Sequence, residues 1–508
     1  MKIFVTLFSI LLSSLSVFSQ MNFNGACGTS ESYAAVKNLL ESKALYKKLE
    51  FSHTETIKYI PIKFHLIAKN DGTGRVKEYD ILKQLCILNE DFSSTDFQFY
   101  AKDADFSYVN SSNIYDEPAN SAFAKDQMQT LRDHQAINVF VVNEINNGAG
   151  GIGTPLAYYQ HDLDWIVIEK KEPKIGSNTL SHEMGHFFSL LHTYHGWGMG
   201  GFNTSSSGWP IAPINDPSGG VTENQDGSNC DSAGDFLCDT PPDYGFGWLD
   251  YTCNYTGGAK DPKGALVEPM EHNQMGSFVN GCYPYAFTAD QANMMYADYT
   301  KPRRNYINSN YIPNTTQITT QATLLTPENN SSSNSSSGVV LDWNDVPYAD
   351  YYLLEVSRTS NFSQLNQTYI VTLSQKELPA LTPDKNYFWK VTAFNEGASC
   401  VDNLTSSKWK FKAGPLANSN IVEINTWDVT PNPTSASNLK LAIDLNKALD
   451  ITAQLVSING QVLFSNDLKI TTGKQVITMP DTKVSNGTYF LRLISKDGME
   501  TRRVVIQK

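Results

Sequence analysis

Apolar runs in the first half of the chain predict a β-sheet, and one periodic segment predicts a helix that packs on it. In DILKQLCILNEDF, residues 80–92, Leu82, Leu85 and Leu88 recur at a spacing of three, which puts them on one helix face. The strand-forming runs are IKYIPIKFHLIA at 57–68, INVFVVNEI at 137–145 and WIVIEK at 165–170. We therefore expect an α/β unit over 56–306, with a twisted sheet in its N-terminal half.

The pattern changes near residue 307. Residues 307–319 are polar and typical of a linker. Over 320–413, segments such as GVVLDWNDVPYADYYLLEVSR and KNYFWKVTAFN alternate apolar with polar residues at period two, between turn residues. This alternation predicts a β-sandwich.

The last part of the chain, 426–508, again contains short strands. Asn459-Gly460 and Asp497-Gly498 are hairpin signals between them. The expected fold class is therefore multidomain, with one α/β domain followed by two all-β sandwich domains.

The N terminus and the composition predict export. Residues 1–19 contain one lysine, an apolar run and then small residues before Gln20, as a secretory signal peptide does. No later segment has eighteen uninterrupted apolar residues, so we expect no transmembrane anchor. The 508 residues suit about three domains. The net charge is −13 and no basic tract is present, which argues against nucleic acid as a partner.

The segment TLSHEMGHFFSLLH carries a candidate metal site. His182 and His186 lie four residues apart and share a helix face, with Glu183 beside them. His192 follows about 240° further round an ideal helix, so the helix must end and the chain turn sharply near Ser189 to make His192 a third ligand. Three histidines with an open fourth position suit a catalytic zinc. The alternative is three unrelated histidines, but this spacing is rare in a chain with only nine.

The expected chemistry follows from a zinc ion with three neutral ligands. Such an ion lowers the pKa of a bound water toward about 7 and polarises a carbonyl group. Glu183 is then the general base that takes the proton of this water and passes it to the leaving amine. We expect peptide-bond hydrolysis, with proteins or peptides as substrates. One alternative is a surface adhesin that binds peptide or glycan on a protease fold without cutting, and the intact Glu183 argues against it. Another is a zinc hydrolase that acts on a non-peptide amide.

Residues 56–305 resemble the metzincin zinc endopeptidases, and within them the pappalysin family of ulilysin-like and cytophagalysin-like enzymes. The motifs are HEMGHFFSLLHTY, CDSAGDFLCDTPPD at 230–243 and HNQMGSFVNGCYPYAFTADQANMM at 272–295. The zinc ligands and the base that the resemblance implies are His182, His186, His192 and Glu183. It also implies that Met275 forms the turn beneath the metal, which is compatible with a plain core methionine.

Two positions depart from the family pattern. Ser189 stands where the pattern has glycine, and a non-glycine residue in a left-handed turn costs about 1 kcal/mol or more. Ser277 follows the methionine by two residues, where many members carry a tyrosine that steadies the tetrahedral intermediate. The chain therefore lacks this auxiliary contact at that position.

The motif CDSAGDFLCDTPPD has a second candidate use. The family binds structural calcium near this stretch, and carboxylate and hydroxyl oxygens suit a hard cation. Asp239 and Thr240 are the candidate ligands. The alternative is a turn held by Asx hydrogen bonds and two prolines.

The chain has seven cysteines, an odd number, so at least one is outside any intramolecular disulfide. The candidate disulfides are Cys253 with Cys282, implied by the resemblance, and Cys230 with Cys238, which have seven residues between them. Cys27 lies in GACGTS within the propeptide-like segment 20–55, which resembles the Cys-Gly of pappalysin propeptides. Its thiolate would occupy the open zinc position and keep a zymogen latent. The alternative is a disulfide between Cys27 and Cys86.

The two β-rich regions carry resemblances of their own. Residues 320–413 resemble a fibronectin type III domain in the order of the core positions Trp343, Tyr352, Leu381, Tyr387 and Trp389. A spacer or binding role is favoured there over a specific ligand site. Residues 426–508, with PNP, INGQV, NGTYFLRL and a basic end, resemble the C-terminal sorting domain of the type IX secretion pathway. This implies the type IX machinery as a partner and export from a Gram-negative cell, to the cell surface or the medium.

Overall fold

The computed structural model describes most of the chain. The described residues are 27–48, 56–145, 155–172, 177–198, 202, 211–248, 253–278, 282–333, 335–363, 365–397, 400–401, 403–414, 421, 423–458, 460–481, 484–495 and 498–507. The expected signal peptide, residues 1–19, lies outside them. The chain divides into two compact units. Unit 1 comprises Met1–Thr319, Pro347–Tyr351 and Ala393–Leu404, and unit 2 comprises Thr320–Val346, Tyr352–Thr392 and Thr405–Lys508.

Unit 1 contains both helices and strands. Its α-helices are α1 Tyr33–Lys48, α2 Glu78–Asp91, α3 Ser112–Asp116, α4 Ala122–Leu131, α5 Thr179–Phe187 and α6 Ala289–Tyr299. Its strands are β1 Lys58–Ala68, β2 Phe97–Tyr100, β3 Ser107–Asn110, β4 Ile137–Val142, β5 Ala157–Gln160 and β6 Trp165–Glu169. Short 3₁₀ helices span Lys102–Ala104, Phe246–Trp248 and Pro302–Ile307.

The six strands form one mixed sheet in the order β2-β1-β4-β6-β5, with β3 also paired to β1. All pairs are parallel except β5 with β6. The three predicted strand runs are confirmed as β1, β4 and β6. Every residue of β4 and β6 is buried, as strands covered on both faces require.

The predicted amphipathic helix is confirmed as α2. Leu82, Leu85 and Leu88 are all buried, and the helix packs against β2 and α5. Helix α5 in turn packs on β5 and β6, so the HExxH segment lies in the interior of the unit at the antiparallel edge of the sheet.

The segment Ala393–Leu404, which the sequence assigns to the fibronectin-like region, belongs to unit 1. A disulfide joins Cys400 in this segment to Cys86 on α2, with a Cα–Cα distance of 4.8 Å. The backbone carbonyl of Gly397 also accepts a hydrogen bond from the Gln98 side chain at 2.8 Å. These bonds join β2 and α2 to a loop about 300 residues further along the chain.

The rest of the chain is built from strands. They are β7 Leu324–Thr326, β8 Ser331–Ser332, β9 Val340–Trp343, β10 Tyr351–Ser357, β11 Leu365–Val371, β12 Gln375–Glu377, β13 Asn386–Phe394 and β14 Trp409–Lys412, followed by β15 Ile424–Thr430, β16 Lys440–Leu445, β17 Leu449–Ser457, β18 Val462–Ile470, β19 Gly473–Thr478, β20 Gly487–Ile494 and β21 Met499–Ile506. The four sheets are β11-β10-β13-β14-β8, β12-β9-β7, β15-β16-β19 and β18-β17-β20-β21. The expected all-β character of this part is confirmed.

The alternation seen in the sequence corresponds to burial. In β16 every second residue is buried, and Trp343 and Trp389 are almost fully enclosed. Strands β17 and β18, and β20 and β21, form the expected antiparallel hairpins. Asn459 and Asp497 of the hairpin signals lie outside the described residues. No helix among the described residues is long and apolar enough to cross a membrane.

We predict that replacing Cys86 and Cys400 together by serine destabilises unit 1 more than the same change at Cys230 and Cys238. The two disulfides join residues 314 and 8 positions apart, and a crosslink across a longer loop removes more entropy from the unfolded chain. The chain-entropy difference is about 3 kcal/mol. Urea unfolding of both oxidised double variants measures it. Equal losses would contradict the prediction.

Candidate metal centre

Helix α5 carries His182 and His186, and all nine of its residues are buried. The spacing of four brings the two ring centroids to 4.8 Å from each other. A Cβ atom at Gly185 would lie 2.5 Å from the sulfur of Met275. Glycine therefore lets the helix lie directly against the methionine.

The chain reverses directly after this helix. Helix α5 ends at Phe187, and Ser189 has a φ of 75°, in the left-handed region. The Leu190 N–H then donates to the Gly185 carbonyl at 3.0 Å, which folds the chain back along the helix. The helix end and the turn near Ser189 that the sequence predicts are confirmed, and the turn returns His192 to the other two histidines.

The three imidazoles converge through their Nε2 atoms. The Nε2 of His192 lies 3.0 Å from that of His186 and 3.1 Å from that of His182. Each Nδ1 donates to an oxygen: His182 to the Gln274 carbonyl at 2.7 Å, His186 to the Leu190 carbonyl at 2.8 Å, and His192 to the Glu31 carboxylate at 2.9 Å. These oxygens only accept, so each Nδ1 carries the proton of its hydrogen bond and each Nε2 is left to face the other two rings.

Three ring nitrogens that face one another at these distances are suited to share one cation. A tetrahedral zinc ion with Zn–N bonds of 2.0 to 2.1 Å keeps its nitrogen ligands about 3.3 Å apart, near the distances found here. Burial and the neighbouring His192 lower the pKa of His182 to about 3, which keeps that ring neutral. Neutral imidazole is the form that binds a metal. The donor set and its spacing therefore fit zinc.

Cys27 completes a group of four ligand atoms. Its sulfur lies 3.4 Å from the Nε2 of His186, and the four ligand atoms lie within 4.8 Å of one another. The thiol is free, and Cys86 pairs with Cys400, so the alternative disulfide between Cys27 and Cys86 is wrong. Burial and the nearby Glu183 carboxylate raise the pKa of the Cys27 thiol well above its usual range. A neighbouring metal cation would oppose this shift and favour the thiolate.

Cys27 is held at the edge of the sheet by backbone pairing. It forms a parallel bridge with Ala157 of β5, and the Gly28 N–H donates to the Ala157 carbonyl at 2.7 Å. A Cβ at Gly28 would lie 2.8 Å from the Pro155 side chain, so the close approach depends on this glycine.

Glu183 is fully buried beside the histidines. The Thr29 hydroxyl donates to its Oε2 at 2.5 Å, and the Tyr159 N–H donates to that hydroxyl oxygen at 2.8 Å. Burial raises the pKa of Glu183 to about 7, although the Thr29 hydrogen bond lowers it. A carboxyl group that titrates near neutrality is able both to take and to release a proton.

Sequence reasoning missed Thr29 and also Glu31. The Glu31 carboxylate accepts from Nδ1 of His192 at 2.9 Å and from Nδ1 of His195 at 2.6 Å. Cys27, Thr29 and Glu31 occupy every second position. Side chains two apart on an extended segment point the same way, so the order Cys-x-Thr-x-Glu was an available signal once Cys27 had been singled out.

Met275 and Ser277 lie on the turn next to α5. Met275 is fully buried, and its carbonyl accepts from the Thr193 N–H at 3.1 Å, directly after the third histidine. The Ser277 hydroxyl donates to Asp243 at 2.8 Å and accepts from the Gly247 N–H at 2.9 Å. The hydroxyl at this departure from the family pattern is thus committed to hydrogen bonds within the protein.

The two calcium candidates make hydrogen bonds with different parts of the protein. The Asp239 carboxylate accepts from the Thr288 hydroxyl and the Asp290 N–H, both at 2.8 Å, and so caps helix α6. The Thr240 hydroxyl instead donates to Asp235 at 2.8 Å. Calcium binding by Asp239 and Thr240 stays a prediction.

A buried acidic pair beside Thr240 was also missed. Burial raises the pKa of Asp235 to about 7, and burial together with Asp235 raises that of Glu223 to about 10. The sequence gives no signal for this pairing because both residues lie in irregular loops. The expected disulfides Cys230–Cys238 and Cys253–Cys282 are present nearby in the chain, with Cα–Cα distances of 5.1 and 5.2 Å.

Comparison with known proteins gives one family match and several relatives. Residues 428–507 match the family model of the secretion system C-terminal sorting domain. An extracellular metalloprotease of Arthroderma gypseum is 24% identical over 254 residues, which are 46% of this chain and 72% of the relative. Another of Sordaria macrospora is 22% identical over 297 residues, 55% of this chain and 89% of the relative. The protein is thus exported from a Gram-negative cell, either secreted or held at the cell surface.

Among solved structures, a promirolysin mutant of Tannerella forsythia aligns with this chain. The alignment covers 56% of this chain and 97% of the promirolysin chain. The identity is 16% and the TM-score is 0.36, which is too low to establish a common fold.

We predict that Gly185→Ala lowers both stability and metal retention. The added Cβ would lie 2.5 Å from the sulfur of Met275, and overpacking of this kind typically costs about 1 to 3 kcal/mol. Urea unfolding and metal content after dialysis measure the two effects. In a Met275→Ala background, which removes the sulfur, the cost of Gly185→Ala should fall by at least half. An undiminished cost would show that Met275 does not impose the constraint.

Proposed function

We propose that the protein is a secreted zinc endopeptidase, made as a zymogen. The observation that carries this proposal is the convergence of the Nε2 atoms of His182, His186 and His192 beside the buried Glu183. The similarity to extracellular metalloproteases supports it. The proposed zinc ligands are His182, His186 and His192.

Each side chain has a distinct task in this proposal. A bound zinc ion supplies Lewis acidity, which lowers the pKa of a water and polarises the carbonyl of the peptide bond. Glu183 takes the proton of the attacking water and delivers it to the leaving amine. The hydrogen bonds from Nδ1 to Gln274, Leu190 and Glu31 fix the three rings, so that the ligands need no rearrangement to bind.

Latency is proposed to arise from the segment that contains Cys27. Its thiolate would be the fourth ligand and exclude water from the metal. At the same time, the Thr29 hydroxyl donates a hydrogen bond of 2.5 Å to the carboxylate of the base, Glu183. Glu31 holds the third ligand. The segment would thus block the metal and the base together, and its removal would free both.

The remaining regions have supporting roles in this proposal. Residues 320–413 are a fibronectin type III-like spacer or binding module, and 426–508 are the domain recognised by the type IX secretion machinery. The matched residues 428–507 support the second assignment. Structural calcium is proposed at Asp239 and Thr240, where the Thr240 hydroxyl also lies within hydrogen-bond distance of Asp235 and the Asp239 carboxylate accepts from Thr288 and Asp290.

We predict that Glu183→Ala and His192→Ala inactivate the enzyme in different ways. Glu183→Ala should retain zinc and lose at least about 10²-fold to 10⁴-fold in turnover, because it removes the general base but no ligand. His192→Ala should lose most of the zinc, because two imidazoles make a weak site. Zinc content after dialysis and cleavage of a denatured protein by proteolytically activated samples measure both effects.

Near-wild-type cleavage by Glu183→Ala would rule out the proposed base. A wild-type protein that holds zinc but cuts no peptide would favour the adhesin or an amide hydrolase with another substrate.

We predict that Cys27→Ala raises the activity of the unprocessed chain, because it reopens the fourth metal position. The Thr29 hydrogen bond to Glu183 persists in this variant, so Cys27→Ala with Thr29→Val should be more active than either single variant. Initial rates of peptide cleavage, before any processing is seen on a gel, measure this. Ser30→Ala is the matched control within the same segment. No gain in any Cys27 variant would count against the latency proposal.

A further inference from the structure

The turn that returns His192 contains an unfavourable residue. Ser189 has a φ of 75°, and a left-handed conformation costs an L-residue about 1 kcal/mol or more relative to glycine. A conformation of this kind persists only when the surroundings hold it. The contacts of the Ser189 side chain therefore show what holds the turn in this conformation.

The Ser189 hydroxyl makes two hydrogen bonds that glycine cannot make, and the one to Asp298 is buried. It donates to Oδ1 of Asp298 on α6 at 2.7 Å. It accepts from a guanidinium nitrogen of Arg303 at 2.8 Å. The same Arg303 nitrogen also donates to Oδ1 of Asp298 at 2.6 Å, which closes a triangle of hydrogen bonds around the turn.

Asp298 is completely enclosed and charged. Burial alone would raise its pKa, but the guanidinium groups of Arg304 and Arg303 and the ammonium group of Lys301 hold it below the usual range. Arg304 is equally buried, and its Nε donates to Oδ2 of Asp298 at 2.8 Å. The acceptor that Ser189 uses is thus a fixed carboxylate.

Arg304 links this carboxylate to the end of the zinc helix. Its guanidinium donates to the Phe187 carbonyl, at the C terminus of α5, and lies 3.8 Å above the centre of the Phe187 ring. It also donates to Asp164, in the turn between β5 and β6, at 2.6 Å. A cation at a helix C terminus satisfies the free carbonyls and opposes the helix dipole.

The position of the turn controls two histidines. The Leu190 carbonyl, one residue beyond Ser189, accepts from Nδ1 of His186 at 2.8 Å and so sets the tautomer of that ring. His192 follows two residues later. A displacement of the turn would misalign His192 and remove the hydrogen bond that orients the His186 ring.

We propose that Ser189, Asp298 and Arg304 are positioning residues for the metal centre, and that the Ser189 hydroxyl holds the turn that brings His192 onto the metal. This inference rests on the proposed function as far as the identity of the metal is concerned. None of the three residues is itself a ligand. Serine at this position offsets its backbone cost with hydrogen bonds to a buried carboxylate.

Two variants at Ser189 separate the hydroxyl from the backbone strain. Ser189→Ala loses the hydrogen bonds and keeps the strain, whereas Ser189→Gly loses both. In the full-length chain, zinc affinity by chelator competition should fall about 10-fold to 100-fold in both variants, the usual effect of losing a residue that orients a ligand. The metal-free Ser189→Gly protein should melt at a higher temperature than Ser189→Ala. The cobalt-substituted variants should also have altered visible spectra, because the ligand geometry changes.

Ser111→Ala is the matched control. Ser111 is a buried serine whose hydroxyl donates to Gln127 and accepts from the Ile114 N–H, so its loss should lower the melting temperature and leave zinc affinity unchanged. Wild-type zinc affinity and cobalt spectrum in Ser189→Ala would overturn the inference, and so would full affinity in Ser189→Gly. If the wild type holds zinc but cuts no peptide, the proposed function fails and the inference on positioning stands. A wild type without zinc overturns both.

Discussion

The metal centre depends on one reversal of the chain, at Ser189. A continuing helix would carry His192 away from His182 and His186, since each residue turns the chain by about 100°. The reversal instead places three Nε2 atoms within 3.0 to 3.1 Å of their neighbours. Because residue 185 is a glycine, the buried Met275 side chain can lie directly against helix α5. If the turn opens, the ligand set is reduced to two histidines on one helix.

Burial determines the chemistry of the site. Burial lowers the pKa of His182 and His186, which favours the neutral ring that binds a metal, and it raises the pKa of Glu183 to about 7, which suits proton transfer. The same burial makes the site dependent on the segment over it. Cys27, Thr29 and Glu31 occupy alternate positions of that segment. Cys27 contacts the proposed metal ligand His186, Thr29 contacts the base Glu183, and Glu31 contacts Nδ1 of His192. One five-residue segment therefore contacts a metal ligand, the base and the third histidine together.

The sequence was sufficient wherever the information was local. The spacing of His182, Glu183 and His186 predicts the helix, and the six-residue gap to His192 predicts its end if all three histidines bind one ion, because a continuing helix would point His192 away. Long-range pairs were not predictable. Cys86 meets Cys400, and Ser189 meets Asp298 109 residues away, through tertiary packing that no short pattern encodes. The hydrogen bond from the Thr240 hydroxyl to Asp235 is a further contact that the sequence does not predict.

We propose that three histidine nitrogens and the Cys27 sulfur surround one zinc ion in the latent chain. Zinc K-edge X-ray absorption of the full-length protein measures this ligand set. We expect about three nitrogen ligands at about 2.0 to 2.1 Å and one sulfur at about 2.3 Å, with the sulfur replaced by a light atom in Cys27→Ala. A wild-type spectrum without sulfur, or one that Cys27→Ala leaves unchanged, would exclude this ligand set.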